Sequence, residues 1–140
     1  VANRIAVAAA LDGDPRAALG ILDTALADTP RAELLNNRGA VRWLEGDRPG
    51  ALRDLRGALA LEPELAAARA NLAALLEFAG SPEAPAARAR AEQSRDLTPR
   101  GFPYGAGNGD MRNPNSFRWM LQIEASRLEL WLPPRSRAIP

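Results

Sequence analysis

The 140 residues are enough for one domain and an appendage, and 46% of them are hydrophobic, although much of that share is alanine and only 5% is aromatic. Alanine favours helix and lets helices approach closely but buries little area, so a thin helical stack fits better than a thick single core. A formal charge of +1 argues against a bulk nucleic-acid partner, and the absence of His and Cys removes the commonest acid–base, nucleophilic and metal-ligating groups.

A first helix is expected over 2–11, where Ile5, Ala6, Ala9 and Ala10 recur at helical spacing. Gly13-Asp14-Pro15 breaks it, and Pro15 suits the first turn of a second helix running to about Ala27. Asp28-Thr29-Pro30 ends that helix. A third spans about 32–45, with Leu35, Gly39 and Trp43 spaced by four, and Gly46-Asp47-Arg48-Pro49 turns it into a fourth with Ala51, Leu52, Leu55, Ala58 and Leu59 inward. Glu62-Pro63-Glu64 closes this unit. A fifth helix covers about 66–79, and a longer turn through Pro82 and Pro85 leads to a sixth over about 86–97, whose inward positions are Ala87, Ala91 and Ser94.

Residues 100–115 are rich in Gly and Pro and read as an irregular linker. The apolar segment 116–132 follows, then a short basic tail over 133–140. Within that segment Phe117, Trp119, Leu121, Ile123 and Ala125 alternate, as do Leu128, Leu130 and Leu132, which suits a hairpin. The connecting Ala125-Ser126 lacks the usual Gly or Asn, and a polar stripe of Arg118, Gln122, Ser126 and Glu129 suits a helix. Helix is the favoured reading, with the hairpin as alternative. Residues 1–99 hold 12 Arg against 14 acids, and 100–140 hold 6 Arg against 3 acids, so the two parts attract weakly.

The helical part repeats itself. Ala6, Gly13, Ala18, Leu22, Ala25 and Pro30 are spaced as Gly39, Gly46, Ala51, Leu55, Ala58 and Pro63 are. Ala73, Gly80, Ala87, Ala91, Ser94 and Pro99 follow, with two extra residues after Gly80. A period of 33 to 36 with small residues at helix contacts, a turn Gly and a closing Pro resembles the tetratricopeptide repeat (TPR) family. The middle copy matches best, the first lacks its opening residue, and the third departs in its turn and at Ser94. The resemblance implies an all-α, right-handed α–α superhelix of three helix–turn–helix repeats, about 1–31, 32–65 and 66–99, with a C-terminal extension.

It also implies a non-catalytic adaptor or scaffold without cofactor or metal, holding a peptide or helix of another protein in a concave groove. The first helices of the repeats would line that groove with Arg4, Val7, Glu33, Asn37, Ala40, Trp43, Ala67, Asn71, Ala74 and Glu77. Asn37 and Asn71 carry amides able to grip an extended backbone, and Trp43 either fills the gap to the next repeat or anchors a partner. Glu33 and Glu77 against Arg4 count against a clamp for a terminal carboxylate. As an alternative, the chain is a permanent subunit of a larger, membrane-associated assembly, with 101–140 as an arm docking through Phe102, Tyr104, Phe117, Trp119, Leu121, Leu128 and Trp131.

Other motifs explain themselves more simply. Gly105 to Asp110 lacks the strand, helix start and Lys of a phosphate loop, and Glu62/Glu64 and Asp12/Asp14 sit at helix ends. The run Arg48, Arg53, Arg56, Arg88, Arg90 and Arg95 is interleaved with acids and reads as a solvated face, not a nucleic-acid surface. All 18 basic residues are Arg, the mark of GC-rich bacterial codon usage, and the cytoplasm and the periplasmic or membrane-associated space both suit the composition. The segment from Phe117 to Leu132 is too short and too charged to span a bilayer.

Overall fold

The computed structural model describes residues 2–93, 120–124 and 127–131. Six helices come in chain order: α1 (Ala2–Leu11), α2 (Pro15–Asp28), α3 (Ala32–Leu44), α4 (Arg48–Leu61), α5 (Ala66–Phe78) and α6 (Ala84–Gln93). They pack as α1 on α2, α3 on α4 and α5 on α6, and successive hairpins stack through α2 on α3 and α4 on α5. The helical part is therefore all-α, three hairpins in a row. The expected continuation of the sixth helix to 97, the linker 100–115 and the tail 133–140 lie outside the described residues.

The three hairpins turn in the same way, and local chemistry explains it. Gly13, Gly46 and Gly80 have φ of 85°, 84° and 67°, a left-handed conformation that a Cβ disfavours. Each closes its helix with the same pair of bonds: in the middle unit the Gly46 N–H donates to the Trp43 carbonyl and the Asp47 N–H to that of Arg42. Asp14 and Asp47 then cap the next helix, their Oδ1 atoms accepting the Ala17 and Gly50 N–H groups at 3.1 and 3.0 Å. Pro15 and Pro49 take positions in the first turn where no N–H is missed.

The repeated small residues lie where the helices touch. Ala6, Ala18, Leu22, Gly39, Ala51, Leu55, Ala58, Ala73 and Ala87 are all buried. A Cβ built on Gly39 would meet the Ala51 carbonyl oxygen, Asp54 Cβ and Leu55 Cγ, each at 3.2 Å. Gly39→Ala should therefore cost about 1 kcal/mol, because overpacking by about 1–3 kcal/mol outweighs the gain of about 1 kcal/mol in helix propensity. Gly20, on the exposed side of α2 with nothing near its absent Cβ, is the control: Gly20→Ala should gain about 0.5–1 kcal/mol. Urea unfolding of the two variants reads both signs.

The C-terminal element corrects the favoured helical reading. Two strands, β1 (Met120–Glu124) and β2 (Arg127–Trp131), pair antiparallel from Met120 opposite Trp131 to Glu124 opposite Arg127. The register sets Leu121, Ile123, Leu128 and Leu130 on one face of the hairpin and Met120, Gln122, Glu124, Arg127, Glu129 and Trp131 on the other. Period-two alternation and a tertiary surface to lie on prevail over the poor turn chemistry of the Ala125-Ser126 connection. That surface is the helical array itself, because β2 packs against α1, α3 and α5.

Candidate interaction face

The helices α1, α3 and α5 neighbour one another across the stack, so the first helices of the three hairpins share one side of the molecule. Most of the expected groove residues are buried on them: Val7, Glu33, Asn37, Ala40, Trp43, Ala67, Asn71 and Ala74. Arg4 is exposed and Glu77 half-buried. An open groove would leave these side chains in water. They are covered, and β2 lies across the same three helices.

Asparagine amides run through this face as a head-to-tail ladder. Asn71 Nδ2 donates to Asn36 Oδ1 at 2.8 Å, Asn36 Nδ2 to Asn37 Oδ1 at 3.0 Å, and Asn37 Nδ2 to Asn3 Oδ1 at 2.7 Å. The ladder joins α5, α3 and α1, and Asn36, Asn37 and Asn71 are fully buried. Buried amides must be satisfied, and these satisfy one another across two repeat boundaries. All four make further interactions beyond the ladder. Asn36 and Asn3 escaped the sequence reading. The signal was the doublet Asn36-Asn37 in mid-helix, two poor helix formers where apolar residues would otherwise stand.

Trp43 takes the structural option. Its ring meets that of Phe78 edge-on, with centroids 5.1 Å apart and planes at 85°, which fills the seam between the second and third hairpins. The Arg48 guanidinium sits over both rings, at 5.4 and 5.2 Å from their centroids. Glu77 is tied to Arg88 of α6 by two bonds of 2.6 and 2.8 Å. The Arg88 guanidinium is held above its ordinary value by the hydrogen bonds of Glu77, against the opposing effect of burial. Glu33 pairs with Arg31. The acids of the face thus neutralise local arginines.

Of the arm residues, Leu121, Leu128 and Trp131 fall in the two strands, and Phe102, Tyr104, Phe117 and Trp119 lie outside the described residues. An open pocket of about 280 Å³ lies between Pro30, Arg31, Ala32 and Glu33 on one side and Leu61 and Glu62 on the other. Its polar groups are one ion pair and a helix-end carboxylate, which do not converge on a reacting centre. Among the described residues no group of three or more His, Cys, Asp or Glu is placed to hold a metal ion, and no helix is long and apolar enough to cross a membrane. The chain matches no protein-family model and no curated protein.

Proposed function

We propose that this chain is a non-catalytic protein–protein interaction module, a tetratricopeptide-type scaffold whose α1–α3–α5 face receives a segment of another protein. The observation that carries this reading is the seating of β2: an extended segment already lies across all three of these helices. The three equivalent turns and the buried small residues at the helix contacts support the repeat assignment. A groove-bound segment of this kind reaches about micromolar affinity, roughly 8 kcal/mol of binding free energy. The second reading, a permanent subunit docked through its arm, gains less support, because β2 is seated on helices of its own chain.

Charge reversal on either side of the stack tests the proposal. Arg4 is exposed on α1, and Arg53 is exposed on α4, a second helix of its hairpin. Protein recovered with the intact chain from its native source should be retained by Arg53→Glu and reduced by Arg4→Glu, with unchanged helical circular dichroism in both. The opposite pattern would move the interaction to the other side of the stack and sink the reading.

A further inference from the structure

The two repeat boundaries show what a first helix meets on the side of the hairpin before it. Asn37 of α3 reaches back to Asn3 of α1, and Asn71 of α5 reaches back to Asn36 of α3. One turn further along, Val41 in α3 and Leu75 in α5 are fully buried. Counted from the repeated Ala6, Gly39 and Ala73, the same two positions in α1 are Arg4 and Ala8. Both are exposed, and Ile5 between them is 53% exposed. The counterparts of Ile5 lie against the preceding hairpin: Arg38 on Asp23 of α2, and Leu72 beside the same apolar cluster as Leu52 of α4.

We infer that this end of the stack pairs with the same end of a second copy, α1 lying antiparallel on its mate about a twofold axis at Ala8. This goes beyond the scaffold reading and does not rest on it. Charge complementarity selects that occupant. Arg4, Ile5, Ala8 and Asp12 fall on one stripe at helical spacing. The helical turn reaches Asp12, whose N–H donates to the Ala8 carbonyl at 2.9 Å, and Asp12 is exposed. The stripe is thus basic at one end, acidic at the other, and apolar or small between. Arg4 in the first turn and Asp12 past the last both oppose the helix dipole, so neither charge is placed to stabilise its own helix. An antiparallel copy centred on Ala8 sets Arg4 opposite Asp12 on both sides of the axis. There Ala8 meets Ala8 of the second copy, and two methyl side chains let the helices close. A parallel arrangement would set like charge on like charge.

The other end of the stack offers no matching surface. Leu52 of α4 packs against the apolar cluster of the third hairpin, and the corresponding residue of α6 is Arg88, held by Glu77. A charge at that place opposes head-to-tail continuation, so the pairing closes at two copies. The contact is small, because α1 has ten residues and is about 15 Å long. Association at the low end of specific interfaces is reversible, with a dissociation constant of about 10 µM to 1 mM.

Sedimentation equilibrium of the purified full chain across that range tests the pairing. The apparent mass should rise with concentration toward twice that of the chain. Ile5→Asp, which places a carboxylate in the contact, should raise the dissociation constant at least about tenfold. Asp12→Arg should weaken it as much, about tenfold, by facing like charges. Adding Arg4→Asp to Asp12→Arg exchanges the signs and should restore association to within about twofold of the intact chain. Leu61→Asp, at an exposed apolar residue of the second hairpin, should change nothing. Every substituted residue is exposed, and unchanged helical circular dichroism checks each fold. A chain that stays monomeric throughout overturns the inference, whatever other helix binds there. Association that survives Ile5→Asp, or that the double variant does not regain, also overturns it. Native capture that depends on Arg4 in a monomeric chain overturns the pairing alone and leaves the interaction face standing.

Discussion

Replacing Asp54 by Ala should lower the unfolding free energy by about 2–4 kcal/mol, read as a shift in urea midpoint at unchanged slope. Asp54 lies on α4 with its side chain only 4% exposed, and it is the acceptor on which two arginines of α3 converge. Arg38 Nε and Nη2 donate to it at 2.9 and 2.8 Å, and Arg42 Nη1 at 2.9 Å. Arg38 also reaches Asp23 of α2 at 3.0 Å, which links the first hairpin to the second. Removing the carboxylate leaves two half-buried guanidinium groups without their shared counter-charge, Arg38 keeping Asp23 and Arg42 a longer contact of 3.9 Å with Asp47. Their exposure of 19% and 25% lets water screen part of the loss, which sets the effect below that of a fully buried pair.

The protonation chemistry agrees in sign. The Arg38 guanidinium is held above its ordinary value chiefly by the hydrogen bonds of Asp54, against the lowering effect of burial. A base with a raised folded value contributes stability that is fully present below its unfolded value and is lost only as pH rises through the folded one. For arginine that window lies beyond the range in which proteins are handled, so Arg38 adds no pH dependence near neutrality. Replacing all three partners together (Arg38→Met, Arg42→Met, Asp54→Leu) should cost far less than Asp54→Ala alone, because no charge is then left buried without a partner.

What was legible in the sequence was whatever local chemistry and small-residue spacing dictate. Gly46 needs a left-handed φ, Asp47 and Pro49 start a helix, and Gly39 and Ala51 allow close contact; each implies its structure without reference to distant parts of the chain. The fate of 116–132 was not legible in that way. Its alternation and its polar stripe gave two answers, and the choice depended on a surface supplied by α1, α3 and α5, far away along the chain. For the same reason the groove residues were placed on the correct helices but expected in water, whereas Val7, Ala40 and Asn37 are buried. The pairing of Arg38 with Asp54 was not legible either, because a sequence does not show that residues 16 apart meet across a helix seam.

The asparagine ladder offers a second large effect, and one that joins fold to function. Asn36→Leu keeps the branched, four-atom outline of the side chain, at a larger volume, and removes one amide that serves two neighbours: it accepts from Asn71 of α5 and donates to Asn37 within α3. Asn36 is fully buried, so water does not replace what is lost. Two buried bonds, each about 1–3 kcal/mol when its partner is stranded, set an expected loss of about 2–4 kcal/mol. The further interactions of Asn37 and Asn71 hold the value toward the lower end. A double-mutant cycle separates a ladder from a set of independent contacts. If Asn71 acts through Asn36, then Asn36→Leu with Asn71→Leu should cost little more than Asn36→Leu alone, with a coupling energy above about 1 kcal/mol. Simple additivity would show that the amides contribute one by one, and the three first helices would then be joined by their apolar contacts rather than by a shared polar chain.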